Sequence, residues 1–335
     1  MKKSLIALAV LAAAGTASAQ SSVTVFGILD VAVRHVDNGD DSKTTVSSGG
    51  LSTGRIGFRG IEDLGGGLKA GFWIEGQVDA DSGNSSGQTW QRRSTVSLIS
   101  DSLGEVRLGR DFVPTYTAVS DFDPFGDNGL GATFRTASAT IVGTSTTNNA
   151  QKRASNEVSY FLPATLGGIY GQVSVAAGEN TATNKYVGGR IGYKAGPLDV
   201  TAAYGQTEVT SSEDLKSTVV SAAYDFGVAK LQGSYQLYKY NGNEETHYTV
   251  GGSVPVGAFV LRAAYTVNES DDVGGRDADL FAVGAVYNLS KRTALYGTYA
   301  FVDNDNGTRL GTIEGLSAIS GEKYQGLEVG VRHSF

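Results

Sequence analysis

The side chains in this sequence with chemistry to offer are charged ones at even spacing. In Thr53-Gly54-Arg55-Ile56-Gly57-Phe58-Arg59, alternation puts Arg55, Gly57 and Arg59 on one face and Ile56 and Phe58 on the other. Glu75 falls with Lys69, Gln77 and Asp79, opposite Ala70, Phe72, Ile74 and Val78. Asp121, Asp123 and Asp127 lie within Asp111–Ala150, a stretch that lacks the alternation found on either side of it. Fixed cations facing fixed anions make an electric field that can select among ions. Covalent and acid–base chemistry has less to draw on. The chain has no Cys and three His, whereas a catalytic nucleophile or activated water needs a base beside it. His35 and His247 fall near the ends of their segments and His333 on an apolar face, so an enzyme is not expected and no cofactor is implied. Gly65-Gly66-Gly67-Leu68-Lys69-Ala70 loosely fits a dinucleotide pattern, but no helix follows it. The oxygen-rich runs Asp79–Gly83 and Asp303–Gly307 read as loop tips, and no metal site is expected.

Composition narrows the setting for this field. The 335 residues include 46 Gly and one Met, and the mean hydropathy is −0.12. No apolar run reaches the roughly 18 residues a membrane-spanning helix needs. The N-terminus carries Lys2 and Lys3, then the apolar run Leu5 to Ala14, then Ala17-Ser18-Ala19, the pattern of a secretory leader ending at residue 19. Without Lys2 and Lys3 the chain has 25 basic against 34 acidic residues, a net charge of −9. Nucleic acid is therefore not an expected partner. An exported chain without cysteine must take its stability from extensive regular structure.

From Val23 onward, apolar and polar residues alternate in segments of about ten residues, the period of half-buried strands. Val23, Val25, Gly27, Leu29, Val31 and Val33 share one face, and Thr24, Asp30 and Arg34 take the other. Short Gly- and Pro-containing turns such as 62–67, 101–104, 194–197 and 255–257 are interleaved with longer polar connections at 35–50, 81–88, 111–150, 268–276 and 303–322. A soluble sandwich has no need of this asymmetry, whereas an outer-membrane barrel has short turns at one end and long loops at the other. The segments number roughly sixteen, within the range of such barrels. The expectation is one antiparallel transmembrane β-barrel over residues 20–335, wide enough for water, with no apolar residues required on its inner face. The last segment alternates Leu327, Val329, Val331, His333 and Phe335 against Glu328, Gly330, Arg332 and Ser334. It ends in an aromatic residue, as suits a final strand that must pair with the first.

Several motifs carry a resemblance. Leu108-Gly109-Arg110, the run Glu62 to Gly71, Gln91-Arg92-Arg93-Ser94-Thr95-Val96, the run Asn288 to Thr293 and Val331-Arg332-His333-Ser334-Phe335 resemble the general diffusion porins of Gram-negative bacteria. The likeness is strongest to the beta-proteobacterial branch of the Comamonas, Burkholderia and Neisseria type. It spans essentially the whole chain after the leader and is weakest in the long loops. The resemblance implies a sixteen-stranded homotrimer whose third external loop, here residues 111–150, folds into the lumen. It also implies passive passage of ions and small hydrophilic solutes, with lipid and lipopolysaccharide around the barrel.

An arginine on the lipid side costs about 2–4 kcal/mol at mid-membrane, so alternation alone turns Arg55 and Arg59 inward. The resemblance matches Arg55, Arg92 and Arg153 to constriction arginines and Asp123 to the opposing loop acid, with Asp121 and Asp127 beside it. Strict alternation points Arg93 inward instead of Arg92 if Val96 and Leu98 face lipid, so both remain candidates. Glu75 would partly offset the arginines. Three arginines near the axis imply a preference for anions. A sugar- or organic-acid-selective channel would line its bore with aromatic residues, but Tyr and Phe here fall mostly at strand ends or in outward register. A structural or adhesive surface barrel is the remaining alternative.

Overall fold

The computed structural model describes residues 22–83, 89–133, 152–178, 185–209, 213–271, 277–304, 316 and 321–335. The expected leader, residues 1–19, lies outside them. The strands are β1 (Ser22–Asp37), β2 (Ser42–Ser48), β3 (Arg55–Gly65), β4 (Leu68–Gln77), β5 (Arg93–Ser100) and β6 (Gly104–Phe112), followed by a short helix α1 (Pro114–Ser120). After it come β7 (Arg153–Phe161), β8 (Ile169–Ala176), β9 (Tyr186–Ala195), β10 (Leu198–Glu208), β11 (Asp214–Asp225) and β12 (Lys230–Tyr240). The last five are β13 (Asn243–Val256), β14 (Phe259–Ser270), β15 (Ala278–Asn288), β16 (Thr293–Asn304) and β17 (Tyr324–Ser334).

Successive strands pair antiparallel all the way round, and β17 pairs with β1, Val331 opposite Val31, which closes the sheet. Seventeen segments make sixteen strand positions, because β2 and β3 are two halves of one wall strand. β2 pairs with residues 31–37 of β1 and β3 with residues 22–28. The interruption between them, residues 49–54, is held by buried Asp30. Its Oδ2 accepts the backbone N–H groups of Leu51 (2.9 Å) and Ser52 (2.6 Å), and its Oδ1 accepts the Tyr296 hydroxyl at 2.5 Å.

The seam of the cylinder is finished by the terminal residue. Phe335 N–H donates to the Gly27 carbonyl at 3.0 Å, and Gly27 N–H donates to the Phe335 carbonyl at 3.1 Å. A methyl group at Gly27 would overlap the Phe335 ring as it lies, so glycine is what lets the terminal ring settle over the first strand.

Alternation sorts the two faces as expected. Val23, Val25, Leu29, Val33, Val96, Leu98, Leu327 and Val329 are exposed on the outside, whereas Asp30, Arg34, Glu75, Thr95, Ser97 and Glu328 are buried on the inside. Connections at one end are short, as between β3 and β4 or β9 and β10. One connection at the opposite end is short as well: β12 and β13 are joined by Asn241 and Gly242 alone, with φ of 50° and 83°. Two successive positive φ values match the right-handed twist of a hairpin.

The inner face departs from expectation, because it carries apolar patches. Ala176, Tyr186, Ala203, Leu215, Val219 and Tyr238 form one cluster with Val113, Tyr116, Ala118 and Val119. Ala264, Leu280, Ala282, Ala300, Val302 and Tyr324 form another with Phe125 and Leu130. Both patches lie where residues 113–133 make contact, and desolvated wall positions there gain by being apolar.

Candidate functional site

Three arginines predicted to act together do lie together. Arg55 opens β3 directly after the wall interruption, and its Nε donates to the Thr53 carbonyl at 2.9 Å. Its Nη1 lies 3.4 Å from Glu75 Oε1, the oxygen that Arg92 Nε approaches to 2.6 Å. Arg153, the first residue of β7, donates from Nε to the Arg92 carbonyl at 2.8 Å, with its guanidinium 4.0 Å from the centre of the Phe112 ring. Glu75 is buried and also accepts Trp73 Nε1–H at 3.1 Å.

The choice between Arg92 and Arg93 resolves in favour of both. Arg93 is the ladder partner of Glu75, yet Arg92 N–H donates to the Glu75 carbonyl at 3.1 Å. The chain leaves regular pairing at this point, so consecutive side chains reach the interior, as at a bulge. Arg93 takes a separate place, 3.4 Å from Asp111 Oδ2 and 4.5 Å from the Trp73 ring centre. Arg59 also faces inward, but lies further along the wall over the rings of Phe26 and Trp73, at 5.2 and 4.9 Å.

Asp121, Asp123 and Asp127 divide into three roles. Asp121 pairs with Arg190 of β9 at 2.9 Å and is more than half exposed. Asp123 does not oppose the arginines as expected. Its carboxylate is buried and accepts three backbone N–H groups, from Phe125 (2.7 Å), Asp127 (3.1 Å) and Thr133 (3.0 Å). Burial raises its pKa above the ordinary carboxylate value against the pull of those donors. An Asp that bonds its own following backbone is a turn former, so Asp123 shapes the segment and leaves the facing charge to its neighbour. Asp127, at φ 56°, accepts the Tyr116 hydroxyl at 2.5 Å and pairs with Lys152.

Lys152 is the residue the sequence reading missed. It sits 4.8 Å from the centre of the Tyr116 ring, and burial lowers its pKa. Its adjacency to Arg153 was the available signal, since successive residues in irregular chain need not point to opposite faces. The site thus gathers four cations, Arg55, Arg92, Lys152 and Arg153, against two carboxylates, Glu75 and Asp127.

The far side of residues 113–133 is anchored to the wall. Ser221 Oγ donates to the Ala118 carbonyl at 2.7 Å, Gly129 N–H donates to the Gly49 carbonyl at 3.2 Å, and Leu130 N–H donates to Glu328 Oε1 at 3.1 Å. Several inward tyrosines, Tyr186, Tyr238, Tyr296 and Tyr324, are buried; Tyr186 and Tyr324 open β9 and β17, while Tyr296 stands within β16. They pack against other side chains instead of lining a free aromatic track. Residues 134–151 of the stretch lie outside the described residues. Among the described residues no cluster of metal-ligating side chains occurs.

Comparison with known proteins agrees with this architecture. Residues 5–307 match the family model described as Gram-negative porin. The chain is 42% identical to outer membrane porin protein 32 of Delftia acidovorans, over the full length of both, and 28% identical to an outer membrane porin protein of Bordetella pertussis, likewise over both full lengths. The solved structure titled anion-selective porin from Comamonas acidovorans superposes with a TM-score of 0.86 at 38% identity, covering 94% of this chain and all of that one. A closed sixteen-position cylinder with an apolar exterior and a charged interior, together with these relatives, identifies the chain as an outer-membrane general diffusion porin of the Gram-negative porin family.

Proposed function

We propose that the channel prefers anions, and that the preference is set where Arg55, Arg92, Arg153 and Lys152 converge on one sector of the inner wall. The observation that carries this reading is the shared counter-ion: one carboxylate, Glu75, stands within 3.4 Å of Arg55 and 2.6 Å of Arg92, which leaves the sector with a surplus of positive charge. Two unit charges 4 Å apart interact by about 1 kcal/mol in water and about 4 kcal/mol at an effective dielectric of 20. A permeating anion close to this wall therefore experiences a few RT of attraction, and a cation the reverse. In this reading residues 111–150 lie in the bore and narrow it, so that ions pass within reach of the arginines. The relative described as anion-selective lends support. Solutes move down their gradients and no chemical step is involved. The barrel assembles as a homotrimer in contact with outer-membrane lipid and lipopolysaccharide, as its family resemblance implies.

Reversal potentials of reconstituted channels in a potassium chloride gradient test the reading. The wild-type potential should have the anion-selective sign. The Arg55→Ser/Arg92→Ser/Arg153→Ser variant should move to neutrality or to cation preference. An unchanged potential in the triple variant would overturn the assignment. Native electrophoresis without heating separates the trimer from a monomer.

A further inference from the structure

The bore contains a second basic site that the arginine cluster does not use. Further along the wall toward the short-turn end, a cavity of about 390 Å³ is lined by Thr24, Arg59, Trp73, Arg93, Thr95 and Arg107, among others. These positions belong to the inward faces of β1, β3, β4, β5 and β6, so the cavity opens on the path a solute follows after the constriction.

The charges in it are unevenly compensated. Arg107 is 2.7 Å from Asp111 and 2.8 Å from Glu105, and Arg93 is 3.4 Å from the same oxygen of Asp111. Arg59 has no ion pair among the described residues. It is held instead by ring faces, 4.9 Å from the Trp73 centre and 5.2 Å from that of Phe26, and those two rings meet edge to face at 5.0 Å. Stacking fixes the plane of a guanidinium and leaves its N–H edges free for oxyanions. Thr24 is the cross-strand partner of Arg59 and brings a hydroxyl to the same face. Thr95 is already engaged by Arg93 Nε at 3.1 Å, which orients Arg93 beside the indole.

We propose that Arg59, with Thr24 and the neighbouring Arg93, forms an oxyanion-binding subsite on the periplasmic side of the constriction. It would take a small solute bearing a phosphate or a carboxylate, the chemistry these two groups share. The proposal deepens the anion-channel reading but rests on different residues. Planar donors recognise an oxyanion by paired hydrogen bonds, which chloride cannot reproduce. The subsite therefore binds oxyanions in preference to chloride, and an anion leaving the constriction finds a second station before the periplasm.

Trp73 reports on the site directly, because the chain has two tryptophans and Trp90 packs elsewhere, against Phe58 at 5.9 Å. In a Trp90→Phe background in detergent micelles, inorganic phosphate and sodium acetate are titrated separately at constant ionic strength against chloride while Trp73 emission is followed. Emission should change saturably with phosphate, with acetate or with both, and the effective anion identifies the source. Arg59→Gln should weaken binding by about tenfold or more, the usual loss for one hydrogen bond to a charged group. Arg59→Lys should recover part of it, and Thr24→Val should weaken it less. Arg55→Ser should leave the titration unchanged while shifting the reversal potential, which separates failure of this proposal from failure of the constriction reading. The proposal is overturned if neither anion gives a saturable change, if the change survives Arg59→Gln undiminished, or if Arg55→Ser abolishes it.

Discussion

At the scale of single residues, two buried carboxylates each serve more than one partner, and their removal should have opposite functional weight. Glu75 neutralises part of the arginine cluster, so Glu75→Gln should make the channel more anion-selective while leaving Arg92 without its ion partner. Breaking a buried pair on one side costs roughly 3–5 kcal/mol, and solvent in the bore reduces this for the more exposed Arg55. Greater anion preference together with a lower guanidinium midpoint is the expected result, and a shift of the reversal potential toward cations would contradict it. Glu328 lies in the seam and takes Arg34 twice through Oε2, at 3.0 and 2.7 Å, with both side chains fully buried. Its other oxygen accepts Leu130 N–H at 3.1 Å. Glu328→Ala should therefore destabilise closure at β1–β17 and loosen the 113–133 segment together. Earlier unfolding with increased open-channel noise is the expected readout, and quiet channels of normal stability would refute the coupling.

At the scale of elements, the imprint of the inserted segment on the wall includes missing side chains beside the apolar patches. A Cβ at Gly251 would stand 2.7 Å from Pro124 Cγ, one at Gly284 3.1 Å from Phe125 Cε1, and one at Gly326 2.9 Å from Leu130 Cδ1. All three glycines are at inward positions of β13, β15 and β17. Gly284→Val and Gly326→Val should thus displace Phe125 and Leu130 from their seats, at the 1–3 kcal/mol typical of overpacking. If the segment narrows the bore, single-channel conductance should rise in both variants, and unchanged conductance with a normal yield of folded barrel would count against that. These glycines also explain what was legible in the sequence and what was not. Strand alternation has period two and is written into each segment, so the wall, its two faces and the terminal strand could be read directly. A seat for a distant segment leaves Gly, Ala and single larger apolar residues such as Leu215, Val219, Leu280 and Val302 on the otherwise polar face, where they read as lapses in the alternation. Asp123 misled for a related reason: a turn-forming Asp and a pore-facing Asp have the same sequence, and only the three N–H groups around its carboxylate distinguish them. Arg92 and Arg93 stayed ambiguous because Arg92 stands just before β5, where the regular ladder ends and alternation no longer applies.

At the scale of the whole molecule, the global and local charges pull in opposite directions. Without the expected leader the chain has 34 acidic against 25 basic residues, so its overall charge attracts cations at long range, whereas in the proposed reading the cluster around Glu75 attracts anions. Screening decides between them by distance. The Debye length is about 30 Å at 0.01 M salt, about 10 Å at 0.1 M and about 3 Å at 1 M. Charges distributed over the mouths therefore influence an ion in the bore mainly in dilute salt, whereas the arginine sector acts at contact range and is partly shielded from bulk ions by the protein. Anion preference measured at a fixed gradient ratio should consequently strengthen as mean salt rises from about 0.01 to 0.1 M, while the mouth potential fades, and then decline toward 1 M as the sector itself is screened. A preference that only falls with salt would mean that the mouths contribute nothing. One that rises without limit would mean that selectivity does not arise from fixed charge at the wall. The triple arginine variant separates the two contributions, because with the sector removed the residual cation preference should be greatest in the most dilute salt and vanish as the Debye length shrinks below the radius of the bore.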